Sequence, residues 1–199
     1  MTSAKKSFKQ TPVFAVIVLV CIALLSGVIL SVLSDVLYVS PEEKTARDLA
    51  KVYSESEFDL TDPNQPVIDT SVVMADGTIH YLYQAADGAI VIKASGIKGW
   101  KGSAEIVFAV KDGKIVNAII SSFNGDDKTS SIKASHLEKM FIGQDITAGD
   151  LEFTTTGIKG GAQLIDATPS CYATWPSVIS AANVAVDYLQ TKNLTGGSN

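Results

Sequence analysis

The sequence predicts an α+β protein: a single N-terminal transmembrane helix followed by one extracytoplasmic antiparallel-sheet domain with flanking helices. Three observations carry this. Positions 10–34 hold no charged residue and are mostly Val, Ile, Leu and Ala, where a bilayer core needs about 20 apolar residues. Between 67 and 121, short strand-like runs alternate with Asp-Gly pairs, a strong short-range hairpin signal. From Val178 onward, small and apolar residues recur at Val178, Ala181, Ala182, Ala185 and Leu189, the spacing of one helical face.

The elements follow in order. A cytoplasmic stub, 1–11, precedes an anchor over 12–38. Lys5, Lys6 and Lys9 lie before the apolar run and Asp35, Glu42 and Glu43 after it, so the positive-inside rule puts the stub in the cytoplasm and the chain beyond Tyr38 outside. A cleaved signal peptide has a shorter apolar core, about 7–15 residues, ending in a small-x-small site, and 31–34 fits that poorly. Cys21 reads as apolar filler within the span. Ser40-Pro-Glu-Glu43 has the form of a capping box, opening a helix to about Tyr53. With the turn-forming stretch that follows it, this makes a membrane-proximal segment, 39–66.

The domain proper is expected over 67–192. Strands are predicted at 67–75, 78–84 and 89–95, turning at Asp76-Gly77 and Asp87-Gly88. A second hairpin, 104–110 with 115–121, turns at Lys111-Asp-Gly-Lys114. A helix over 131–141 follows, with Ile132, Leu137 and Met140 inward, then a strand at 151–156 and the final helix. The tail 193–199 is expected to fray.

Composition narrows the function. The formal charge is -5 and the pI about 5.0, and the basic stub leaves the remainder more acidic still, which argues against nucleic acid as a partner. Cys171 is the single cysteine beyond the anchor, and His80 and His136 are far apart, so neither a disulfide nor a metal site is expected. No nucleophile motif, phosphate-cradling glycine loop or paired-carboxylate signature is present, and no catalytic residue is assigned.

The most informative stretch is 166–178, Asp-Ala-Thr-Pro-Ser-Cys-Tyr-Ala-Thr-Trp-Pro-Ser-Val, a hydroxyl-rich loop running into the final helix. Pro176 suits a first helical turn, which puts Thr174 at or just before the helix start. Unpaired backbone N–H groups and the positive dipole end favour an anion there, so a phosphoryl group on Thr174 is electrostatically favoured. Ser and Thr are also ordinary N-caps, and from this segment alone capping is the commoner role.

Two stretches carry a resemblance. One is Gly99-Trp-Lys-Gly-Ser103 with Ile106, Phe108, Val110, Asp112-Gly-Lys-Ile115 and Ala118; the other is Ala173-Thr174 with Ser177 and Ala181 opening the C-terminal helix. With the anchor, they resemble the FMN-binding domain family, which includes the G subunit of the Rnf ion-translocating electron-transport complex and the C subunit of the sodium-pumping NADH:quinone oxidoreductase. The resemblance implies a flavoprotein of the cell inner membrane, carrying covalent FMN as an electron carrier in an ion-translocating ferredoxin:NAD-type complex. By that resemblance it would be an electron-transfer subunit of such a translocase rather than a stand-alone enzyme. Its partners would be the other membrane subunits and a flavin transferase that uses FAD to join FMN, through its phosphate, to Thr174.

In that reading Tyr172, Ala173 and Ser177 flank the attachment point, and Tyr172, Trp175 and Trp100 stack on or edge the flavin. Lys128 and Thr129 fall in the stretch where the family carries a flavin-facing loop. Thr156 and Gly157, with Lys159, Gly160 and Gly161, wrap the phosphate or ribityl chain. The chain departs from the family in having Cys171-Tyr172 where Ser/Thr-Gly is usual, and Phe123-Asn-Gly-Asp-Asp-Lys-Thr-Ser130 in place of Glu-Thr-Pro-Gly-Leu-Gly. The alternative reading is a non-catalytic, membrane-anchored assembly or ligand-sensing module that has lost the flavin.

Overall fold

A computed structural model describes residues 12–55, 58, 71–97, 102–124, 132–165 and 174–196. The chain forms two compact units, Met1–Glu43 and Lys44–Asn199. In the first, α1 (Pro12–Leu37) is one continuous helix. Its Val13–Leu33 stretch is long and apolar enough to cross a membrane, and none of it is buried in the protein. Leu19, Leu24 and Leu25 project in different directions with more than half their surface exposed, an arrangement suited to lipid on all sides. The next helix, α2 (Pro41–Val52), begins as its sequence predicts: Ser40 Oγ accepts the Glu43 N–H at 3.1 Å.

The second unit is built on an antiparallel meander in sequence order: β1 (Val72–Met74), β2 (Gly77–Gln84), β3 (Ile90–Gly96), β4 (Ser103–Lys111) and β5 (Lys114–Asn124). The β4–β5 turn follows from its residues. Asp112 (φ 50°) and Gly113 (φ 76°) both take the left-handed conformation that a two-residue type I′ loop demands. The Asp76-Gly77 signal is read differently by the chain. Gly77 pairs with Met74 as the first residue of β2, so the loop is Ala75-Asp76, and neither of these has a positive φ. At the β2–β3 turn Gly88 has φ 85°, and Asp87 Oδ1 accepts the Ala89 N–H at 3.2 Å.

Both faces of the sheet are covered. On one, Ile79, Leu82, Ile92, Ile106 and Phe108 pack with α3 (Ala134–Phe141) and α4 (Trp175–Thr191), to which Val178, Ala181, Ala182, Ala185 and Leu189 contribute the expected buried stripe. The closest approach is at Gly96, where a Cβ would lie 2.6 Å from the Ser177 carbonyl oxygen and 2.7 Å from Ser180 Cβ. On the other face Leu49, Val52 and Tyr53 from α2 and its end cover Tyr81, Val91, Val107 and Ala109. Double burial explains why β3 and β4 are nearly unbroken apolar runs rather than alternating ones.

Lys93 is the charged exception in β3. Its Nζ lies 2.9 Å from Glu105 Oε2 and 3.4 Å from Asp48 Oδ2, donates to Ser121 Oγ at 3.1 Å, and sits 5.7 Å from the Tyr81 ring centroid. Ser121 Oγ in turn donates to Asp48 Oδ2. A buried ammonium persists only with such partners.

Two expectations are corrected. The stretch 151–156 is not a strand: Asn183 of α4 takes both backbone groups of Phe153, its Oδ1 accepting the N–H at 2.7 Å and its Nδ2 donating to the carbonyl at 2.9 Å. Thr154 N–H then bonds Gly157 O at 2.7 Å and the chain turns, leaving isolated bridges in place of a ladder. The start of the tail is also held. Leu194 N–H bonds Leu189 O, while the carbonyls of Thr195 and Gly196 accept the N–H groups of Gly113 and Asp112 at 2.6 and 3.2 Å. Residues 197–199 lie outside the described residues, as do 59–70, where the first predicted strand was expected to begin.

Candidate functional site

Thr174 stands where α4 begins. Its backbone is already helical (φ −84°, ψ −41°), and its carbonyl accepts the N–H groups of Ser177 and Val178 at 3.0 and 3.1 Å. Its side chain does not cap the helix, and the residue has no exposed surface. The predicted position at a helix start is therefore observed, with the hydroxyl facing inward from solvent.

Trp175 fills the core beside it. The indole N–H donates to Thr155 O at 2.8 Å, and the ring neighbours Phe141 and His136 at centroid distances of 6.3 and 6.4 Å. Phe141 continues the cluster edge-on to Phe108 and Phe153. A ring with no exposed surface presents no face to a cofactor in this arrangement. Ser177 is equally engaged: its Oγ accepts the Ala104 N–H at 2.8 Å and donates to Gly96 O at 3.3 Å, satisfying buried backbone groups of β3 and β4.

The bond from Trp175 to Thr155 brings the loop carrying Thr156 and Gly157 to the α4 start, as a shared site requires. Within that loop the Thr156 carbonyl accepts the N–H groups of Leu164 and Ile165, each at 2.9 Å, while Gly157 is buried. Lys159 reaches back to Glu152 at 2.5 Å in an exposed pair. Trp100, Lys128, Thr129, Tyr172 and Ala173 lie outside the described residues.

Sequence reasoning missed His136. Its Nδ1 accepts the Lys133 N–H at 2.9 Å at the start of α3, so a neutral ring carries its proton on Nε2, and the ring lies beside Trp175. The three-residue spacing from Lys133 to His136, that of an N-cap and its N3 partner, was the available signal.

Elsewhere, a groove of about 570 Å³ runs between β5 and α3, lined by Ile119, Ser122, Phe123, Ile132 and Leu137. This lies within the roughly 300–1,000 Å³ usual for small-molecule sites. A second, of about 370 Å³, carries Asp76, Asp150, Glu152 and Asp187 and is electrostatically unsuited to a phosphate. On the α2 side of the sheet His80 Nε2 lies 2.9 Å from Ser95 Oγ, and burial holds its pKa below the ordinary value. Among the described residues no group of three or more His, Cys, Asp or Glu is placed to hold a metal ion.

No family model, curated protein or solved structure matches the chain. The residues themselves give a divided test of FMN. A helix start suits a phosphate, but Thr174 has no exposed surface, which leaves its hydroxyl no room for a phosphoester in this arrangement.

Proposed function

We propose that this protein is a membrane-anchored electron carrier bearing FMN as a phosphoester on Thr174, within an ion-translocating complex of the ferredoxin:NAD type. The observation that carries the reading is the position of Thr174 as the residue from which a 17-residue helix begins, followed by Pro176 and Ser177. Bound FMN supplies one- and two-electron transfer. The chain's own part is to fix the attachment point, to oppose the phosphate with the positive end of α4, and to hold the carrier at the membrane through α1. The basic stub supports an extracytoplasmic position for the folded unit, where other membrane subunits would exchange electrons with it. A covalent tether keeps the cofactor at high effective concentration, so a sparse set of contacts suffices.

The test is co-expression with a flavin transferase followed by denaturing electrophoresis: a fluorescent band is expected from the wild type and none from Thr174→Ala. The burial of Thr174 and Trp175 favours a second reading, in which the helix start is a structural plug and the domain is a non-catalytic assembly or ligand-sensing module. A dark band from correctly matured wild type would decide for that reading.

A further inference from the structure

We infer that the edge of β5 beside α3 is a docking slot for one extended segment of a partner protein, apolar at alternate residues and carrying a lysine or arginine. The inference is independent of what Thr174 carries. The groove gives the first reason. Residues 117–123 of β5 line it without a gap, whereas a groove lying on either face of a sheet meets alternate residues only. It therefore runs along the edge of the strand, the last in the sheet, with Ala134, Leu137 and Glu138 of α3 as its far wall.

Main-chain geometry shows what that edge offers. Ile115 faces away from β4: its N–H donates to Gln144 O at 3.0 Å and its carbonyl accepts the Gly143 N–H at 2.7 Å. Ala118 also faces outward, its N–H donating to Asn117 Oδ1 at 2.8 Å. The alternation of an antiparallel pair then turns Ile120 outward and, past the extra residue at Ser121, Phe123. Ala104, opposite Phe123, accordingly gives its N–H to Ser177 rather than to β5. Among the described residues, neither Ile120 nor Phe123 has a partner for its outward N–H or carbonyl. Groups spaced in this way are met by another extended main chain, not by a helix or an acyl chain.

Charge selects the occupant. Glu138, exposed on α3, is the one charged residue among the described residues that line the groove, so it suits a segment with a basic side chain. The β5 of a second copy has none to offer, because Ile115 to Asn124 is uncharged. That stretch also lacks proline, so β5 is without two of the devices that usually keep an edge from pairing.

The test titrates full-length protein in detergent into fluorescein-labelled peptides of roughly eight residues, alternating Val and Thr, with one Lys walked through every position. Anisotropy reads the binding. At the best position, Glu in place of Lys is expected to weaken binding roughly fivefold, and N-methylation of the amides that meet the edge about tenfold or more. Ala134→Trp, at an exposed position in the far wall, should fill the slot and abolish binding without changing the urea unfolding of the protein. Should that variant not fold, Glu138→Lys replaces it and is expected to reverse the preference between Lys and Glu peptides. No binding by any peptide, no preference for Lys, full affinity in the N-methylated peptides, or binding unaffected by the variant overturns the inference. Concentration-dependent self-association that Ala134→Trp abolishes would give the slot to a second copy and overturn it as well.

Discussion

Lys93→Met probes the polar network that joins α2 to the sheet. Methionine keeps most of the length and volume of lysine but removes the charge, leaving the carboxylates of Asp48 and Glu105 without their shared cation. The Asp48 side chain is 8% exposed and that of Glu105 25%, so the first loses its cation and keeps the neutral Ser121 hydroxyl as a donor, while water partly screens the second. Removing one member of a buried pair costs about 3–5 kcal/mol, and the screening of Glu105 places the expected loss near 3 kcal/mol at pH 7.

The pH dependence follows from Glu105. Burial pushes its pKa up, but the Ser122 hydroxyl and the Lys93 and Lys44 charges outweigh this, so it is held below the ordinary 4.5. A folded-state pKa below the unfolded one contributes stability that is present above pH 4.5 and lost as pH falls through the folded value. In the variant Lys93 is gone and the more distant Lys44, 3.9 Å from Glu105, remains, so acid relieves a less well compensated charge. The gap between the two proteins should therefore narrow as pH falls from 7 to 4. Urea unfolding of the full-length proteins in detergent, followed by tryptophan fluorescence at pH 7 and pH 4, measures the penalty and its change. A penalty under about 1 kcal/mol at pH 7, or one unchanged at pH 4, would refute the reasoning.

Two further outcomes are expected. Ser177→Ala strands the buried Ala104 N–H and should cost about 1–3 kcal/mol by the same unfolding assay; no measurable loss would mean that Ser177 does not bridge β3 and β4. Protease added to intact spheroplasts should degrade the C-terminal unit and spare an N-terminal tag, and the reverse pattern would invert the orientation drawn from Lys5, Lys6 and Lys9.

Much of the fold was legible because local chemistry and global packing agree there. The Asp112-Gly113 loop has one conformation open to it, and the stripe from Val178 to Leu189 has the helical period. The exceptions share a cause. Phe153 reads as a strand residue, but Asn183, thirty positions away, takes both of its backbone groups. The tail from Leu194 to Gly196 looks unstructured until the β4–β5 turn offers it donors. Long-range partners of this kind leave no local pattern.

The site was legible in position and not in exposure. Periodicity and Pro176 place Thr174 at the helix start, where the structure also has it. Nothing local shows that Trp175 turns into the Phe141 cluster, or that Ser177 spans two strands, because both depend on the depth at which α4 sits over Gly96. Depth is set by the glycine on the partner strand, so hydroxyls that read as a phosphate-facing loop are drawn into the core.

The most direct measurement is mass spectrometry of the tryptic peptide that contains Thr174, from protein matured with its own transferase. FMN on Thr174 is predicted, retained at least in part by Thr174→Ser and lost in Thr174→Ala, with Thr168→Ala and Ser170→Ala unaffected. The Thr174 side chain does not cap α4, so a folded Thr174→Ala protein without flavin would locate the attachment rather than report collapse. An unmodified peptide, or an adduct on Thr168, Ser170 or Ser177, would contradict the account.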